Sequence, residues 1–441
     1  MNKKLVVFPI EIWKREIDAK LFLAIKLILS GYRVLIAEMT DVNIRKVKNA
    51  IILHKDHAVW SDVLFKNWIK RNNSLYAFDE EGLITSNDDY YIKHRVSDWA
   101  IKNLSGIFMW GHNQENLIKK KDITVPCYKI GSCKLELSSK HKIKFNDGNN
   151  SKILVNTRFP YLNGRYSSKQ SLEHLGIISN DIDLEKFENF IESEYIIRNE
   201  FIKLLKLLAA NNYLITLRPH PLEDVSYYED YFNSYTNIKV NNTDDLYDQI
   251  KENNILIHDG CTTAIEASSM GRKVYGLRPS NLKDAYDDTA NGFSVNFNNA
   301  EDLLNEISNG DFKLIKNVNA ESKVFGWGNL NSSQFIIDIF NKDLIDNRNS
   351  PKSKIDIRLI VKKTIFQINK LSFGVLMNFK VVKNMVNGRD NLNKKFPDVN
   401  CNDLNEKINN LNKKIFSNYE NELLKKIRIN KLSKKAFTID L

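Results

Sequence analysis

The tetrapeptide Arg218-Pro219-His220-Pro221 follows an apolar run at 213–217 and contains residue types that bind phosphate. Its two prolines remove two backbone N–H donors and stiffen the turn, which fixes Arg218 and His220 at the end of a predicted strand. The planar guanidinium of Arg218 suits a phosphate group, and His220 can donate a hydrogen bond to a phosphate oxygen. The alternative interpretation is a rigid surface turn with a satisfied histidine, because short motifs also arise by chance.

A second motif, Asp259-Gly260 followed by Thr262 and Thr263, ends the predicted strand 255–259 and begins a predicted helix. Either threonine is suited to cap that helix. The first turn of a helix presents unpaired N–H groups and a partial positive charge, and Gly260 allows a ligand to approach closely. Two hydroxyl groups beside these N–H groups favour a phosphate site, whereas the alternative is an ordinary capped helix.

Glu266 lies one turn into the same predicted helix, where its carboxylate could reach a ribose hydroxyl. Both motifs stand at carboxyl ends of predicted strands in the same half of the chain. Together they predict a pocket for a nucleotide mono- or diphosphate. The chain contains no GxGxxG and no GxxxxGK[ST] segment, which disfavours the dinucleotide-binding and P-loop classes.

Three consecutive carboxylates, Asp79, Glu80 and Glu81, follow the predicted buried strand 74–79 and precede Gly82. Mutual repulsion is expected to raise the pKa of at least one of them, which suits a general acid or base. A solvated acidic turn is the alternative interpretation.

No bound metal or other cofactor is expected. His54-x-x-His57 has the spacing of a ligand pair, but no third ligand follows nearby, and a zinc site needs a complete set. The cysteines form neither a CxxC pair nor a metal-ligand set, which favours a reducing compartment for a chain of this length. They are Cys127, Cys133, Cys261 and Cys401.

Predicted strands and helices alternate along most of the chain, which favours an α/β fold with parallel sheets covered on both faces. The predicted strands are 4–10, 33–39, 49–55, 74–79 and 106–111, then 152–157, 213–219, 237–240, 255–259 and 273–277. This pattern makes the GT-B arrangement a candidate, in which two Rossmann-like, doubly wound domains face each other across a cleft. Ligands of open parallel sheets bind beyond the carboxyl ends of the strands, where both phosphate motifs stand.

The polar, aperiodic stretch 138–151 is interpreted as a linker. It separates a first domain at 1–140, expected to bind the acceptor and carry the catalytic groups, from a nucleotide-binding domain at 151–340. Residues 341–441 are expected to form a basic helical tail. The total of 441 residues suits two or three ordinary domains.

The net charge of +11 is concentrated in this tail. Residues 341–441 contain 22 Lys and Arg against 10 Asp and Glu, a balance of +12, whereas residues 1–340 balance at −1. A basic tail on a neutral body favours an anionic membrane surface over nucleic acid, and 355–383 mixes apolar and basic residues as a surface-bound helix would. The alternatives are a helix packed on the protein body and a compositional bias of the source.

The chain is expected in the cytoplasm, at the inner membrane if the tail binds there. No run of about 18 apolar residues occurs that could span a bilayer. The apolar run at 5–10 ends at Glu11 and is too short for a signal peptide.

The segments DEEG at 79–82, RPHP at 218–221 and HDGCTTAIEA at 258–267 resemble motifs of GT-B enzymes that use CMP-activated ulosonic acids. Bacterial sialyltransferases of that fold carry a D/E-D/E-G motif, an HP motif and a Ser/Thr pair. The chain is more similar to the surface-carbohydrate biosynthesis group, which includes retaining β-Kdo transferases of capsule and O-antigen assembly. The opening of that group resembles Arg15-Glu16-Ile17-Asp18-Ala19, and the resemblance covers residues 1–340.

The resemblance implies roles for individual residues. His220 and the helix start at Thr262-Thr263 would hold the CMP phosphate. Glu266 would bind the ribose, and Glu80 and Glu81 match the paired acidic positions of the D/E-D/E-G motif. Enzymes of this fold do not need a bound metal.

A segment at 130–136 is similar to a Gly-x-Pro-Arg-x-Asp segment of the group, in which an acidic residue could be the nucleophile of a double displacement. Here Cys133 replaces the proline, Lys134 the arginine and Glu136 the aspartate. Glu136 is therefore the third candidate catalytic residue.

The sequence thus predicts a glycosyltransferase that moves a Kdo- or sialic-acid-like sugar from a CMP-sugar to a surface-polysaccharide acceptor, either lipid-linked or an oligosaccharide. Capsule and lipopolysaccharide O-antigen are the products that the resemblance implies. One alternative is a CDP-glycerol-type glycerophosphotransferase, which would not require Glu80 and Glu81. Another is a non-catalytic protein of the same fold that binds a nucleotide or glycan.

Overall fold

The computed structural model describes residues 3–83, 88–141, 151–164, 184–280, 282, 289–309, 317–349, 396–398, 400–416, 420 and 424–441. Contacts divide the chain into two units. The first consists of Met1–Lys55, Leu64–Tyr76 and Ser333–Leu441, and the second of Asp56–Val63 and Ala77–Ser332. All candidate catalytic and nucleotide-binding residues belong to the second unit. The domain boundaries predicted above stay a prediction.

An eight-stranded sheet combines six strands of the N-terminal part with two from the end of the chain. Its strands are β1 (Leu5–Ile10), β2 (Arg33–Glu38), β3 (Ile51–His54), β4 (Ser74–Phe78), β5 (Gly106–Met109), β6 (Cys127–Lys129), β13 (Arg428–Ser433) and β14 (Ala436–Asp440), in the order β13-β14-β2-β1-β3-β4-β5-β6. Strand β1 pairs in parallel with both β2 and β3, and β5 pairs in parallel with β6. The continuous apolar sequence of β1 fits this central position, because both of its faces are covered.

Within the described residues, the N-terminal part also supplies seven α-helices. They are α1 (Trp13–Leu29), α2 (Val42–Lys46), α3 (Asp62–Ile69), α4 (Asp88–Tyr90), α5 (Ala100–Asn103), α6 (His112–Ile118) and α7 (Cys133–Lys140). The sequence predicts a helical stretch over 90–103, and the structure divides it, since Tyr91–Arg95 forms a π-helical turn and α5 begins separately. The hydroxyl of Ser97 accepts hydrogen bonds from the backbone N–H groups of Trp99 and Ala100, which starts α5 anew.

A six-stranded, fully parallel sheet occupies the second half of the chain. Its strands are β7 (Lys152–Asn156), β8 (Leu214–Arg218), β9 (Ile238–Val240), β10 (Ile255–His258), β11 (Lys273–Leu277) and β12 (Val295–Phe297), in the order β12-β11-β10-β7-β8-β9. The chain runs outward from β7 through β8 to β9 and then crosses to β10 on the other side. Such a reversal is a switch point, beside which α/β folds bind ligands.

Helices around this sheet bury apolar stripes against it. They are α8 (Leu184–Ala210), α9 (Val225–Tyr231), α10 (Leu246–Glu252), α11 (Thr263–Ser269), α12 (Ala300–Asn309), α13 (Val318–Ser322) and α14 (Ser332–Asn349). The apolar spacing at 195–210 predicts a helix with one buried stripe. The structure confirms it in α8, where Phe201, Leu204, Leu205 and Leu208 are buried in one core with Ile153 and Val155 of β7.

The end of the chain does not form a wholly helical tail. After α15 (Cys401–Ile415), strands β13 and β14 make an antiparallel hairpin, and β14 pairs antiparallel with β2. The ring of Phe437 is fully buried and lies 6.1 Å from that of Trp13. The stretch 355–383, where the amphipathic helix was expected, lies outside the described residues. Among the described helices, none is long and apolar enough to cross a bilayer.

Candidate functional site

Three neighbouring strands, β10, β7 and β8, deliver the nucleotide motifs to one edge of the second sheet. Asn156 at the end of β7 is in register with Arg218 at the end of β8. The end of β10 leads directly into Asp259. Because parallel strands present their carboxyl ends at the same edge, the two motifs that the sequence singled out are brought together.

Two hydrogen bonds fix the guanidinium of Arg218, and some of its N–H groups have no acceptor among the described residues. Its Nη1 donates to the backbone oxygen of Asp244 at 2.9 Å and to Oε1 of Gln249 at 2.6 Å. Nε and Nη2 donate to no acceptor among the residues that the structure describes. Burial lowers the pKa of Arg218, and the nearby carboxylates of Asp245 and Glu266 oppose that change. A fixed guanidinium with spare N–H groups is suited to an anion.

His220 is oriented as a hydrogen-bond donor. Its Nδ1 accepts the backbone N–H of Leu222 at 3.2 Å, so the proton of the neutral ring resides on Nε2. The side chain is partly exposed, between a buried Pro219 and an exposed Pro221. This tautomer fits the phosphate-donor role expected for His220.

Two backbone N–H groups of the loop after β10 donate hydrogen bonds to side chains of the protein. Gly260 adopts a φ of +61°, a conformation that favours glycine, and its N–H donates to Oδ1 of Asn291 at 3.1 Å. The N–H of Cys261 donates to Nδ1 of His258 at 3.3 Å. The close ligand approach expected at Gly260 stays a prediction, since this residue's visible role is to shape the turn.

His258 is a structural residue of that loop. It is fully buried, and its Nε2 lies 3.1 Å from the hydroxyl of Ser294. Burial, helped by the charge of Arg158, lowers the pKa of His258 to about 3. The ring is therefore neutral near pH 7 and positions Cys261 through Nδ1.

Thr262 is the N-cap residue of α11, as expected, although its side chain makes no capping hydrogen bond. The N–H groups of Ala264 and Ile265 donate to the oxygens of Cys261 and Thr262. Among the described residues, the N–H groups and hydroxyls of Thr262 and Thr263 donate to none. The paired threonines thus keep four donors available, and their contact with a phosphate stays a prediction.

Asp259 has a structural partner. Both of its carboxylate oxygens lie 3.1 Å from Nη1 of Arg278, and the residue is 5% exposed. The pair neutralises a buried charge beside the expected phosphate position. A direct nucleotide contact by Asp259 stays a prediction.

Glu266 is buried, and only one of its two carboxylate oxygens has a partner in the described structure. Its Oε1 lies 2.7 Å from Nζ of Lys134 on α7, while its Oε2 is buried and has no hydrogen-bond partner in the described structure. An unpartnered buried carboxylate oxygen is costly, about 1–3 kcal/mol or more. A ribose hydroxyl could supply the missing donor, and the ribose role of Glu266 stays a prediction.

Glu136 lies two residues beyond Lys134 on α7 and is fully buried. The helix is capped by Ser132, whose hydroxyl accepts the backbone N–H of Lys134 at 3.2 Å. Gly131, at a φ of +71°, makes the turn into it. One short helix therefore carries both the partner of Glu266 and the candidate nucleophile.

Two carboxylates of the acidic triplet, Asp79 and Glu81, share an arginine partner that the sequence did not indicate. Arg95 donates to Asp79 through Nε at 3.0 Å and Nη2 at 2.5 Å, and through Nη1 to Glu81 at 3.1 Å. Asp79 is fully buried, whereas the side chain of Glu81 is 42% exposed. Although burial alone lowers it, the hydrogen bonds and charges of these carboxylates raise the pKa of Arg95. The expected mutual repulsion is thus opposed by a shared cation.

The same turn is tied to its neighbours by neutral hydrogen bonds. The backbone oxygen of Asp79 accepts the indole N–H of Trp110 at 2.8 Å. The side chain of Gln114 joins this network, accepting the backbone N–H of Trp110 and donating to the hydroxyl of Tyr91. Glu80, partly buried, follows directly on this fixed turn. Catalytic roles for Glu80, Glu81 and Glu136 stay predictions.

Three polar residues near the nucleotide motifs were not singled out from the sequence. Asn156 and Arg158 stand at and just after the end of β7, and Glu223 follows the RPHP turn. The buried Oδ1 of Asn156 has no partner in the described structure. The position of Asn156 and Arg158 could have indicated them as candidates, because β7 is the strand at the switch point, where α/β folds bind ligands. No motif or spacing in the neighbouring sequence indicated a role for Glu223.

The described residues contain no group of three or more His, Cys, Asp or Glu side chains placed to hold a metal ion. Of the two histidines with ligand-like spacing, His57 donates from Nδ1 to the backbone oxygen of Arg95 at 2.7 Å.

No protein-family model and no curated protein sequence matches the chain. Solved structures resemble it at low sequence identity. The S. aureus protein MnaA, in a structure with UDP, has a TM-score of 0.50 and 12% identity, covering 80% of this chain and 100% of MnaA. UDP-GlcNAc 2-epimerase of Methanocaldococcus jannaschii, with UDP-GlcNAc and UDP, has a TM-score of 0.46 and 14% identity over 77% and 99%. The wall teichoic acid polymerase TagF with CDPG has a TM-score of 0.45 and 12% identity over 79% and 90%.

The chain has a GT-B-like fold. The likeness to MnaA and the two sheets with their parallel strands carry this conclusion, and they confirm the fold class predicted from the alternation of strands and helices. At 12% identity the likeness shows the fold alone, so the chemistry must be argued from the residues of this chain.

Proposed function

We propose that the protein is a glycosyltransferase that moves a Kdo- or sialic-acid-like ulosonic acid from a CMP-sugar to a surface-polysaccharide acceptor. The observation that carries the proposal is the set of hydrogen-bond donors gathered at one sheet edge. Arg218 and the Thr262-Thr263 turn keep N–H groups without acceptors in the described structure, and His220 is set as an Nε2 donor. Glu266 adds a buried acceptor for a ribose hydroxyl.

In this proposal the second sheet holds the donor and its phosphate. Positive charge from Arg218 and donors from His220 and the α11 turn stabilise the CMP leaving group as its bond to the sugar breaks. The CMP-sugar is a substrate, and no metal or other cofactor takes part. The acceptor, lipid-linked or an oligosaccharide, supplies the attacking hydroxyl.

A carboxylate completes the reaction by one of two routes. If Glu80 or Glu81 removes the proton of the acceptor hydroxyl, the anomeric centre inverts. If Glu136 attacks the sugar as a nucleophile, a covalent intermediate forms and the configuration is retained. The bond between Lys134 and Glu266 supports the second route, because it ties the helix of Glu136 to the ribose-binding residue.

CMP is expected to stabilise the protein selectively over UDP and GDP. At about a hundred times its dissociation constant, a ligand that binds only the folded state adds about 2.7 kcal/mol to the free energy of unfolding. A thermal-shift series with CMP, CDP, UDP and GDP measures this. Equal stabilisation by UDP would reject the CMP-sugar assignment, and CDP-glycerol as the preferred ligand would favour glycerophosphate transfer. Nucleotide binding without transfer, over a panel of donors, would favour a non-catalytic binding protein.

We further propose that 355–383 binds an anionic membrane surface, where a lipid-linked acceptor is presented. Supporting this, the charge balance is +12 over 341–441 and −1 elsewhere. Strong sedimentation with vesicles that contain phosphatidylglycerol is expected at low salt, falling as salt screens the charges.

The variant for this measurement must keep the end of the chain, because β14 pairs with β2. Replacing Lys362, Lys363, Lys370, Lys380 and Lys383 by Gln removes charge from the stretch alone. These substitutions should abolish sedimentation, whereas vesicles of neutral lipid should leave the unaltered protein in solution. Full sedimentation of the five-fold variant would contradict the membrane role.

A further inference from the structure

Glu223, three residues after His220, is a fully buried carboxylate with several hydrogen bonds. Its Oε1 accepts the hydroxyl of Thr157 at 2.9 Å and the backbone N–H of His220 at 2.8 Å. Its Oε2 accepts the hydroxyl of Tyr228 at 2.7 Å. These donors come from the segment after β7, the RPHP turn and α9.

A fully buried carboxylate is expected to have a specific role in the protein. Removing a carboxylate from water is unfavourable, and burial raises the pKa of Glu223 while its hydrogen bonds oppose that rise. A fully satisfied buried group of this kind fixes the geometry of everything bonded to it.

What Glu223 fixes most directly is the backbone of His220. The N–H of His220 donates to the carboxylate, and the N–H of Glu223 donates back to the oxygen of His220 at 2.8 Å. The ring of His220 is then held by the N–H of Leu222. Both the position of the residue and the direction of its Nε2 donor depend on this closed set of bonds.

We propose that Glu223 is a positioning residue that aims His220 at the donor phosphate, an inference that rests on the proposed function. It acts through His220 and does not touch the nucleotide. The contact that matters is the one between Oε1 and the N–H of His220. Glu223 therefore serves as an acceptor of fixed reach, and its negative charge is not itself required.

The substitutions at Glu223 are chosen by what each does to the hydrogen bonds of its two carboxylate oxygens. Glu223→Gln can keep a carbonyl at the Oε1 position for Thr157 and His220, while its amide donates to the hydroxyl of Tyr228. Glu223→Asp keeps the charge but is one methylene shorter, so it loses the reach to His220. Glu223→Ala loses both charge and contact. Glutamine should therefore preserve CMP affinity, and aspartate and alanine should weaken it about tenfold or more.

A double-mutant cycle separates positioning from general support of the fold. His220→Ala alone should weaken CMP binding about 10- to 160-fold, the equivalent of 1.5–3 kcal/mol for a hydrogen bond to a charged group. In the His220→Ala background, Glu223→Ala should change the affinity by no more than about twofold, the usual limit of additivity. Calorimetric titration of full-length protein with CMP gives all four values.

The control is Glu200→Ala, another carboxylate of the second unit that accepts a backbone N–H, from Ala300 at 2.7 Å. It should leave CMP affinity unchanged. If Glu223→Ala fails to fold, Glu223→Asp takes its place in the cycle. An equal loss in both backgrounds, or a benign aspartate with a damaging glutamine, would overturn the positioning role.

The outcome also distinguishes the two proposals. If the unaltered protein binds another nucleotide of the panel in place of CMP, the CMP assignment fails and the cycle is run with that nucleotide. If it binds none of CMP, CDP, UDP and GDP, both proposals are rejected.

Discussion

Glu80→Gln or Glu81→Gln is expected to lower the transfer rate by about a hundredfold to ten-thousandfold while CMP binding persists, if either residue is the catalytic base. An interaction used only in the transition state lowers kcat and kcat/KM together. Stability should change little, because Glu80 is only partly buried and the bond of Glu81 to Arg95 involves a side chain that is 42% exposed. Steady-state rates with a CMP-sugar, beside CMP titrations, measure both effects.

Glu136→Gln decides between the two routes. If Glu136 is the nucleophile, its loss stops transfer, and mass spectrometry of a trapped enzyme shows a glycosyl adduct only when Glu136 is present. Glu115→Gln is the control, since Glu115 pairs with Lys119 and Lys129 at 2.8 Å and has no proposed catalytic role. Near-normal rates in all three candidate variants would mean that the catalytic centre lies elsewhere.

Arg95→Met is expected to lower the free energy of unfolding by about 3–5 kcal/mol. The physical reason is that Asp79, whose side chain is fully buried, loses both hydrogen bonds from Arg95 and keeps an uncompensated charge. The guanidinium also lies 5.7 Å from the ring of Trp60, a contact that methionine replaces only in part. Urea unfolding followed by fluorescence measures the change.

Two further variants test that reason. Asp79→Asn in the Arg95→Met background should recover part of the loss, because a neutral amide costs less to bury unpaired than a carboxylate does. Lys102→Met breaks the exposed ion pair with Asp122, whose side chains are 46% and 83% exposed, and should cost less than about 1 kcal/mol. A similarly small cost for Arg95→Met would show that the acidic turn does not depend on this cation.

The sequence alone determined ten of the strands and the edge at which the nucleotide motifs meet. The strand predicted at 152–157 is found at Lys152–Asn156, and the one at 255–259 at Ile255–His258. Short apolar runs and helical stripes are local signals, set by burial on one or both faces. The placement of RPHP and Asp259-Gly260 followed from these elements, because parallel strands must end at a common edge. The short strands β6 and β12 were missed, since three residues carry too little pattern.

The tertiary structure alone decided which polar groups are paired. Arg95 with Asp79, Lys134 with Glu266, and Glu223 with Thr157 each join residues that are distant in sequence. No local pattern identifies such partners, because any cation or hydroxyl of the right type serves equally well until the fold places one within reach. The acidic triplet shows the consequence: its sequence suggested mutual repulsion, and its structure supplies a shared arginine.

The hairpin at the end of the chain shows the same limit at the level of the fold. Strand β14 lies beside β2 although nearly the whole chain separates them. The sequence marked 341–441 by its charge and indicated a helical tail, because composition reports what a segment can bind and not where it packs. An exposed edge of β2 would leave backbone groups unpaired, and β14 satisfies them. That requirement exists only once the sheet has formed, which is why the tertiary structure, and not the sequence, decided it.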